Sequence, residues 1–312
     1  MQRRQFLQSC TAALATATVC STGWARQAAS RPAYVDVHTH IGTYTNNNKA
    51  LSVPDLLRWM DERHIEKAFV LPLVSPESTT YLQTPETALQ ATADHRDRLI
   101  PFCSLDPRAI IVGGQQGLND IVKRYVDQGA KGFGEHKVGL DFDDPLMLRV
   151  YEAVEAAGIP LLFHIDNIRG KDLPGLPRLE AALKTFPKLN FIGHGPGFWA
   201  SISGDSDQKD LGGYPTGKVA PGGALDRLMQ TYPNLYCDLS AGSGAGAISR
   251  DLEFGREFLI RRQDRILFGT DYLQPGQAVP QFALFEQQIE LPPDVFRKIA
   301  RDNALTLVGE KV

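Results

Sequence analysis

Five residues that can ligate a metal ion or move a proton stand at the ends of four predicted strands. They are His38 and His40 in the first strand, His164 in the fifth, His194 in the sixth and Asp271 in the eighth. Side chains two residues apart on a strand point to the same side, so His38 and His40 face the same way. Imidazole and carboxylate groups are the ligands that borderline ions such as Zn²⁺ accept. These residues form a metal site if the strand ends meet.

Histidines that merely pack in a core are the alternative interpretation. Several unpaired imidazoles at one end of a core would leave buried polar groups without partners, which costs free energy. The pattern therefore favours a metal site. His64 and His95 lie beside charged residues at predicted helix ends, and we expect them at the surface.

Eight apolar, β-branched runs, each followed by a helical pattern, are the elements that would bring these residues together. The runs cover residues 34–40, 67–73, 99–105, 130–136, 160–166, 189–194, 234–239 and 265–271. A regular alternation of strand and helix indicates a parallel sheet, and eight such units close into a barrel. The sequence thus predicts an α/β protein with a single (β/α)8 TIM barrel over residues 33–310. Because the strands of such a barrel end at one face, the five residues should meet there.

A Gly-rich segment interrupts the regular spacing between the sixth and seventh strands. Residues 195–223 contain eight Gly and three Pro, together with Trp199 and Tyr214. A long irregular segment inside a compact domain is typically a binding loop or a lid. Since it follows a strand, we expect it at the carboxyl face of the barrel, where the active sites of this fold lie.

The first 29 residues have the pattern of an export signal rather than of a folded domain. Arg3 and Arg4 precede an uncharged Ala- and Thr-rich run, and Gly23-Trp24-Ala25 offers small residues for cleavage. The pattern resembles a twin-arginine signal and predicts a periplasmic protein. The run is too short and too polar for a membrane span. Lipid anchoring is also not expected.

Composition narrows the classes of partner. The 312 residues are 43% hydrophobic and 22% charged, and the formal net charge is −3. This balance does not suggest a nucleic acid or an anionic membrane as partner, which leaves a small-molecule substrate. A homo-oligomer is compatible with the sequence. Cys103 and Cys237 fall on separate predicted strands, so no disulfide is expected.

The site residues resemble a known family. The string Asp36-Val37-His38-Thr39-His40, followed by His164, His194 and Gly269-Thr270-Asp271, resembles the amidohydrolase superfamily. The resemblance is stronger to the amidohydrolase-related branch, which also contains aminocarboxymuconate-semialdehyde decarboxylase. It implies that His38, His40, His164 and Asp271 hold one or two divalent ions of the Zn²⁺ type. It also implies that His194 hydrogen-bonds the metal-bound water or the substrate, with Asp271 moving the proton.

The fourth strand departs from a simple match to this family. Many members carry a carboxylated Lys or a Glu there, where this chain has Gly134-Glu135-His136-Lys137. Either the odd positions face the barrel mouth, with Glu135 and Lys137, or the even ones do, with His136. We favour Glu135 as a further metal ligand because the two Gly of this strand suit its helix-packed side. A surface Glu–Lys pair is the alternative.

The resemblance implies a metal-dependent hydrolase that cleaves an amide, lactone or ester bond of a small molecule. A metal-dependent non-oxidative decarboxylase of a small carboxylic acid is the alternative reaction on the same site, and a barrel that only binds its ligand is a third interpretation. The candidate substrate-binding residues are Lys137, Arg169, Trp199 and Tyr272, with Asn167 and Tyr214 as further candidates. Arg169 could grip a carboxylate.

The signal assignment predicts the behaviour of a double variant. Arg3→Lys/Arg4→Lys protein should stay in the cytoplasm, folded and metal-loaded, with normal specific activity, since ligands far apart in sequence bind a metal only in the assembled fold. Cell fractionation and an activity assay test this. Wild-type amounts of the variant in the periplasm would refute the signal assignment, and retained but metal-free protein would refute the link between folding and metal loading.

Overall fold

The computed structural model describes residues 33–312, so the predicted export signal lies outside the described residues. Eight short strands run along this part of the chain, and every paired neighbour is parallel. They are β1 (Tyr34–Thr39), β2 (Ile65–Val70), β3 (Leu99–Pro101), β4 (Phe133–His136), β5 (Leu161–His164), β6 (Phe191–His194), β7 (Leu235–Asp238) and β8 (Ile266–Leu267). All eight predicted strands are confirmed.

Backbone hydrogen bonds at two seams join the strands into a circle. Strands β1–β3 and β4–β8 form two ladders. A parallel bridge between Cys103 and Phe133 joins the first ladder to the second. At the other seam, Val37 N donates to Phe268 O at 3.0 Å and His40 N donates to Tyr272 O at 3.0 Å. The strand order therefore runs from β1 to β8 and back to β1, which is the predicted (β/α)8 arrangement.

Helices follow the strands as expected from the sequence. They are α1 (Val53–Arg63), α2 (Pro85–Ala91), α3 (Gly114–Asp127), α4 (Pro145–Ala157), α5 (Pro177–Thr185), α6 (Pro196–Ala200), α7 (Ala224–Thr231), α8 (Ala241–Ser249), α9 (Leu252–Arg261), α10 (Pro280–Ala283), α11 (Pro293–Arg297) and α12 (Asn303–Leu307). Ser52 Oγ accepts from Asp55 N at 3.2 Å and caps α1, and Gly158 ends α4 in the left-handed region. Two wider π-helical turns, Leu284–Gln288 and Lys298–Asp302, extend the closing helices.

The Gly-rich segment after β6 is only partly irregular. It begins with α6 and contains a short 3-10 turn at Asp210–Gly212 before α7 starts. No helix of the described part of the chain is long and apolar enough to cross a membrane. Cys103 and Cys237 are both buried and free, as expected.

The buried side chains form an inner and an outer apolar cluster. The inner one joins residues of six strands, including Phe69 and Phe102, whose ring centroids lie 4.9 Å apart. The outer one packs the strands against the helices. An apolar filling inside the barrel leaves its polar residues to gather at the strand ends.

Asp36 is a buried acceptor that links β1 to the end of β8. Its Oδ1 accepts from His38 N and from Thr270 N, each at 3.0 Å, and its Oδ2 accepts from the Thr270 hydroxyl. Burial raises the pKa of Asp36 to about 7, although these hydrogen bonds oppose the shift. The carboxyl group therefore holds the seam between the first and last strands.

Replacing Asp36 should weaken this seam. Asp36→Ala leaves two buried N–H groups unpaired, at about 1–3 kcal/mol each, so the free energy of unfolding should fall by roughly 2–6 kcal/mol. Asp36→Asn keeps an acceptor oxygen and should lose much less. Urea unfolding followed by circular dichroism measures both, and equal losses in the two variants would contradict this role.

Candidate functional site

Six predicted site residues meet at the carboxyl ends of the strands. His38 Nε2 lies 3.1 Å from His40 Nε2, 3.6 Å from Asp271 Oδ1 and 3.8 Å from Glu135 Oε2. His194 Nε2 is 3.8 Å from Glu135 Oε1. His164 Nδ1 contacts Glu135 Oε1 at 2.9 Å. Glu135 thus lies at the centre of four imidazoles, so the odd positions of β4 face this cluster.

The local backbone explains how these side chains reach one place. His164 and His194 are direct register partners on the neighbouring strands β5 and β6. Gly134 precedes Glu135 with φ +138°, and a Cβ there would lie 2.3 Å from Leu162 O, so only glycine fits. Asp271 takes a φ of 56°, and its N–H donates to His38 O at 2.9 Å.

The outer nitrogens of three imidazoles are held by acceptors. His38 Nδ1 contacts Asp238 Oδ2 at 2.6 Å, and His40 Nδ1 lies 2.8 Å from Leu71 O. Ser240 gives its proton to Asp238 Oδ2 at 2.7 Å, so His194 Nδ1, 2.8 Å from Ser240 Oγ, is the donor there. Donation from Nδ1 leaves the Nε2 lone pairs of His40 and His194 directed into the cluster. Ligating histidines are oriented in this way in metal sites.

Two fully buried carboxylates are kept ionised by the groups around them. Burial alone would raise the pKa of Glu135, but Lys137, His164 and His38 outweigh burial and hold that pKa well below its usual range. Burial likewise opposes ionisation of Asp238, yet the charge of His38 and the hydrogen bond from His194 lower its pKa. The cluster therefore carries negative charge in a dry environment.

The imidazoles respond to this charge in different ways. Burial lowers the pKa of His38, but the carboxylates of Asp238 and Asp271 outweigh burial and raise it. Burial and the charge of His38 lower the pKa of His40 to about 4, and the same two causes lower that of His194. Positive charge is therefore stabilised on His38, which lies between the carboxylates of Asp238 and Asp271.

Two overlapping groups of ligand atoms fit a metal ion. One consists of His38, His40 and Asp271, and the other of His38, Glu135 and His194; within each group the atoms lie within 4.8 Å of one another. Nitrogen lone pairs and carboxylate oxygens that face one another repel unless a cation lies between them, so the donor set suits a divalent ion. The structure thus brings His194 into a ligand group.

His164 is placed differently from the other imidazoles. Its Nδ1 contacts Glu135, and its Nε2 lies 2.9 Å from Asp166 Oδ2. Asp166 in turn accepts from Ile168 N at 2.7 Å and forms an ion pair with Arg169. His164 therefore lies between two carboxylates, within the cluster but outside both ligand groups.

The four predicted substrate-binding residues occupy different surroundings. Lys137 Nζ lies 3.2 Å from Glu135 Oε1, at the cluster. Arg169 is bound to Asp166 and is only partly exposed.

Trp199 is buried, and its Nε1 donates to Asp238 O at 2.9 Å. The ring of Tyr272 stacks on Trp59 with centroids 3.8 Å apart, so the structure does not bring this ring to the cluster. The two further candidates, Asn167 and Tyr214, are both exposed.

Three residues of the site were not anticipated from the sequence. Asp238 and Ser240 hold His38 and His194. Asp238 ends β7 and Ser240 follows two residues later, the same spacing that singled out His38 and His40. Tyr44 follows β1, and its ring centroid is 6.1 Å from that of His40. Its buried hydroxyl has no hydrogen-bond partner among residues 33–312. Burial, then the charges of Asp271 and Glu135, raise its pKa.

Comparison with known proteins gives a family match and several similar folds. The model of the amidohydrolase family matches residues 35–309. No curated protein matches the chain. The fold is similar to a probable 2-pyrone-4,6-dicarboxylic acid hydrolase from Acinetobacter baumannii with citric acid bound, with a TM-score of 0.57, 12% identity, and 88% of this chain and 99% of that chain covered.

Two further solved structures are similar over the same length. 5-Carboxyvanillate decarboxylase from Sphingomonas paucimobilis has a TM-score of 0.55 and 16% identity, covering 90% of this chain and 100% of that chain. An amidohydrolase from Burkholderia multivorans with zinc bound has a TM-score of 0.60 and 14% identity, covering 89% and 100%. At this level of identity the three likenesses establish the fold alone.

Proposed function

The chain belongs to the amidohydrolase family, and we propose that it is a metal-dependent hydrolase that cleaves an amide, lactone or ester bond of a small molecule. The observation that carries this proposal is the pair of ligand groups that share His38, His38–His40–Asp271 and His38–Glu135–His194. The solved relatives include a probable hydrolase and a decarboxylase, so family membership alone leaves the reaction open.

A divalent ion, with Zn²⁺ as the best candidate, is proposed to be held by His38, His40 and Asp271, with Glu135 beside it. Such an ion, when bound, polarises a carbonyl oxygen and lowers the pKa of a water ligand to roughly 7. The four carboxylate oxygens of Glu135 and Asp271 balance its charge. The resemblance assigns the third imidazole to His164, whereas the atom positions favour His194. Replacing each in turn decides between them.

Asp271 is proposed as the proton carrier. Its side chain is 18% exposed, whereas those of Glu135 and His38 are fully buried. It therefore contacts both the ligand group and solvent, and it can accept a proton from the attacking water and return it to the leaving group. Its backbone is held on both sides, since its N–H binds His38 O and its carbonyl accepts from Gln277 Nε2 at 2.7 Å.

Tyr44 and His194 are proposed to bind the reacting groups. The unpartnered hydroxyl of Tyr44 can donate to a substrate oxygen beside His40. If His164 is the third ligand, the Nε2 lone pair of His194 is free to accept a hydrogen bond from the attacking water. Both groups are buried, and hydrogen bonds are stronger in such surroundings than in water.

Metal content tests the site. Purified protein should carry one or two Zn²⁺-type ions per chain, and His38→Ala should release most of them because His38 belongs to both ligand groups. Asp238→Asn should lower metal affinity by about 10–100-fold, since it only orients a ligand. Elemental analysis measures the content, with His95→Ala, on a short surface turn, as the matched control. Active protein without bound metal would refute the proposal.

The reaction itself is tested with a panel of lactones, aryl esters, acyl-amino compounds and aromatic acids. We expect hydrolysis products, loss of turnover in EDTA and recovery with Zn²⁺. Tyr44→Phe should lower kcat/KM roughly tenfold, the effect of losing one neutral hydrogen bond, without loss of thermal stability. Release of CO2 from an acid without any hydrolysis would instead identify the chain as a decarboxylase.

A further inference from the structure

The two carboxylate oxygens of Glu135 face different pairs of imidazoles. Oε2 lies 3.8 Å from His38 Nε2 and 3.6 Å from His40 Nε2. Oε1 lies 2.9 Å from His164 Nδ1 and 3.8 Å from His194 Nε2. An ionised carboxylate can bind a cation through each of its oxygens. Glu135 therefore offers two places for a cation: the first place, at Oε2, and the second place, at Oε1.

The first place has a second carboxylate. Asp271 Oδ1 lies 3.6 Å from His38 Nε2 and 3.5 Å from His40 Nε2. A divalent ion in the first place is therefore balanced by the charges of Asp271 and Glu135. His38 Nδ1 contacts Asp238 at 2.6 Å, and the one remaining ring nitrogen can bind only one ion. His38 therefore cannot also ligate an ion in the second place.

The second place depends on Glu135 for its negative charge. The other carboxylates beside its two imidazoles contact the opposite ring nitrogens. Asp166 lies 2.9 Å from His164 Nε2, and Asp238 lies 3.3 Å from His194 Nδ1. A divalent ion in the second place would therefore share the single charge of Glu135 with an ion in the first place, which weakens the attraction for both.

Lys137 places a positive charge directly against this carboxylate. Its Nζ lies 3.2 Å from Glu135 Oε1 and 3.3 Å from Oε2, and its side chain is 15% exposed. Burial raises the pKa of Glu135, and the charge of Lys137 is the strongest of the influences that lower it. A metal ion bound to Oε1 at about 2 Å would lie no farther than roughly 5 Å from Nζ, and like charges at that separation repel.

We propose that the ammonium group of Lys137 takes the place of a second metal ion at Glu135 and thereby limits the site to one divalent ion. The ammonium group supplies the positive charge that Oε1 requires in buried surroundings. Without this charge, Glu135 Oε1, His164 and His194 provide three ligands for a second ion. Lys137 is then a positioning residue, since it acts on the metal content through Glu135. The proposal rests on the metal site of the proposed function but not on the reaction.

The metal content of full-length variants tests this role. After dialysis against Zn²⁺, elemental analysis should find about one ion per chain in the wild type and about two in Lys137→Met, which has a similar length but no charge. Lys137→Arg keeps the charge and should stay at about one ion. Lys131→Met is the matched control, because Lys131 is exposed and precedes the same strand at its opposite end. It should not change the metal content.

Two further measurements show whether the added ion lies at Glu135. Adding His194→Ala to Lys137→Met should return the content to about one ion, since it removes a ligand of the second place. With Mn²⁺ in place of Zn²⁺, Lys137→Met alone should give the electron paramagnetic resonance signal of two coupled ions, because both ions then bind one carboxylate.

The outcomes separate this proposal from the proposed function. Two ions in the wild type or in Lys137→Arg would overturn the proposal, and so would a single ion in Lys137→Met. Wild-type protein that binds no metal would overturn both. The expected metal contents without hydrolysis of any ester, lactone or amide would refute the proposed function alone. Circular dichroism verifies the folding of each variant, and Lys137→Gln replaces Lys137→Met if that variant does not fold.

Discussion

Two carboxylates without access to water, Glu135 and Asp238, govern the arrangement at the carboxyl face of the barrel. Burying an ionised carboxylate is costly unless charged or hydrogen-bonding groups surround it. Here His38 lies close to both, His164 and Lys137 complete the surroundings of Glu135, and His194 and Ser240 complete those of Asp238. The imidazoles are oriented so that their nitrogens surround these two buried carboxylates. A cation held by the two ligand groups would satisfy the same requirement.

The hydrogen bonds that join the last strand to the first also position residues of the site. The N–H of Asp271 binds the carbonyl of His38, and Asp36 binds Thr270, the residue before Asp271. The last strand is thereby fixed to the first at the residues that face each other in the cluster. Tyr272 continues this attachment on the outer side, where its ring stacks on Trp59 of α1. The position of Asp271 thus depends on the packing of a helix as well as on the strands.

The sequence predicted the strands and their order because both depend on periodicity. For the same reason it predicted that four side chains meet, those of His38, His40, His194 and Asp271. Alternation along a strand and convergence of strand ends are general properties of the barrel. Asp238 was missed although it has the same signal, since a lone Asp at a strand end is also common at a turn. The surroundings of Trp199, on α6, and of Tyr272, directly after β8, depend on how the segments after the strands pack, and no local pattern encodes that packing. The position of His164 outside both ligand groups was not predicted either. Its Nε2 contacts Asp166, which lies two residues later in a loop, and the sequence does not show where that loop places the carboxylate.

The groups that orient the imidazoles belong to the strands and the residues directly after them. By contrast, α6, α8 and residues 213–215 of the Gly-rich segment line a small cavity, with Trp199 as one wall. This separation has a consequence for laboratory evolution. Libraries that vary residues 213–215 and the exposed face of α8 would change the walls of this cavity and leave the groups that orient the imidazoles unchanged. Trp199 is the exception, since its indole is bonded to Asp238. Diversity should therefore be introduced around this tryptophan and not at it.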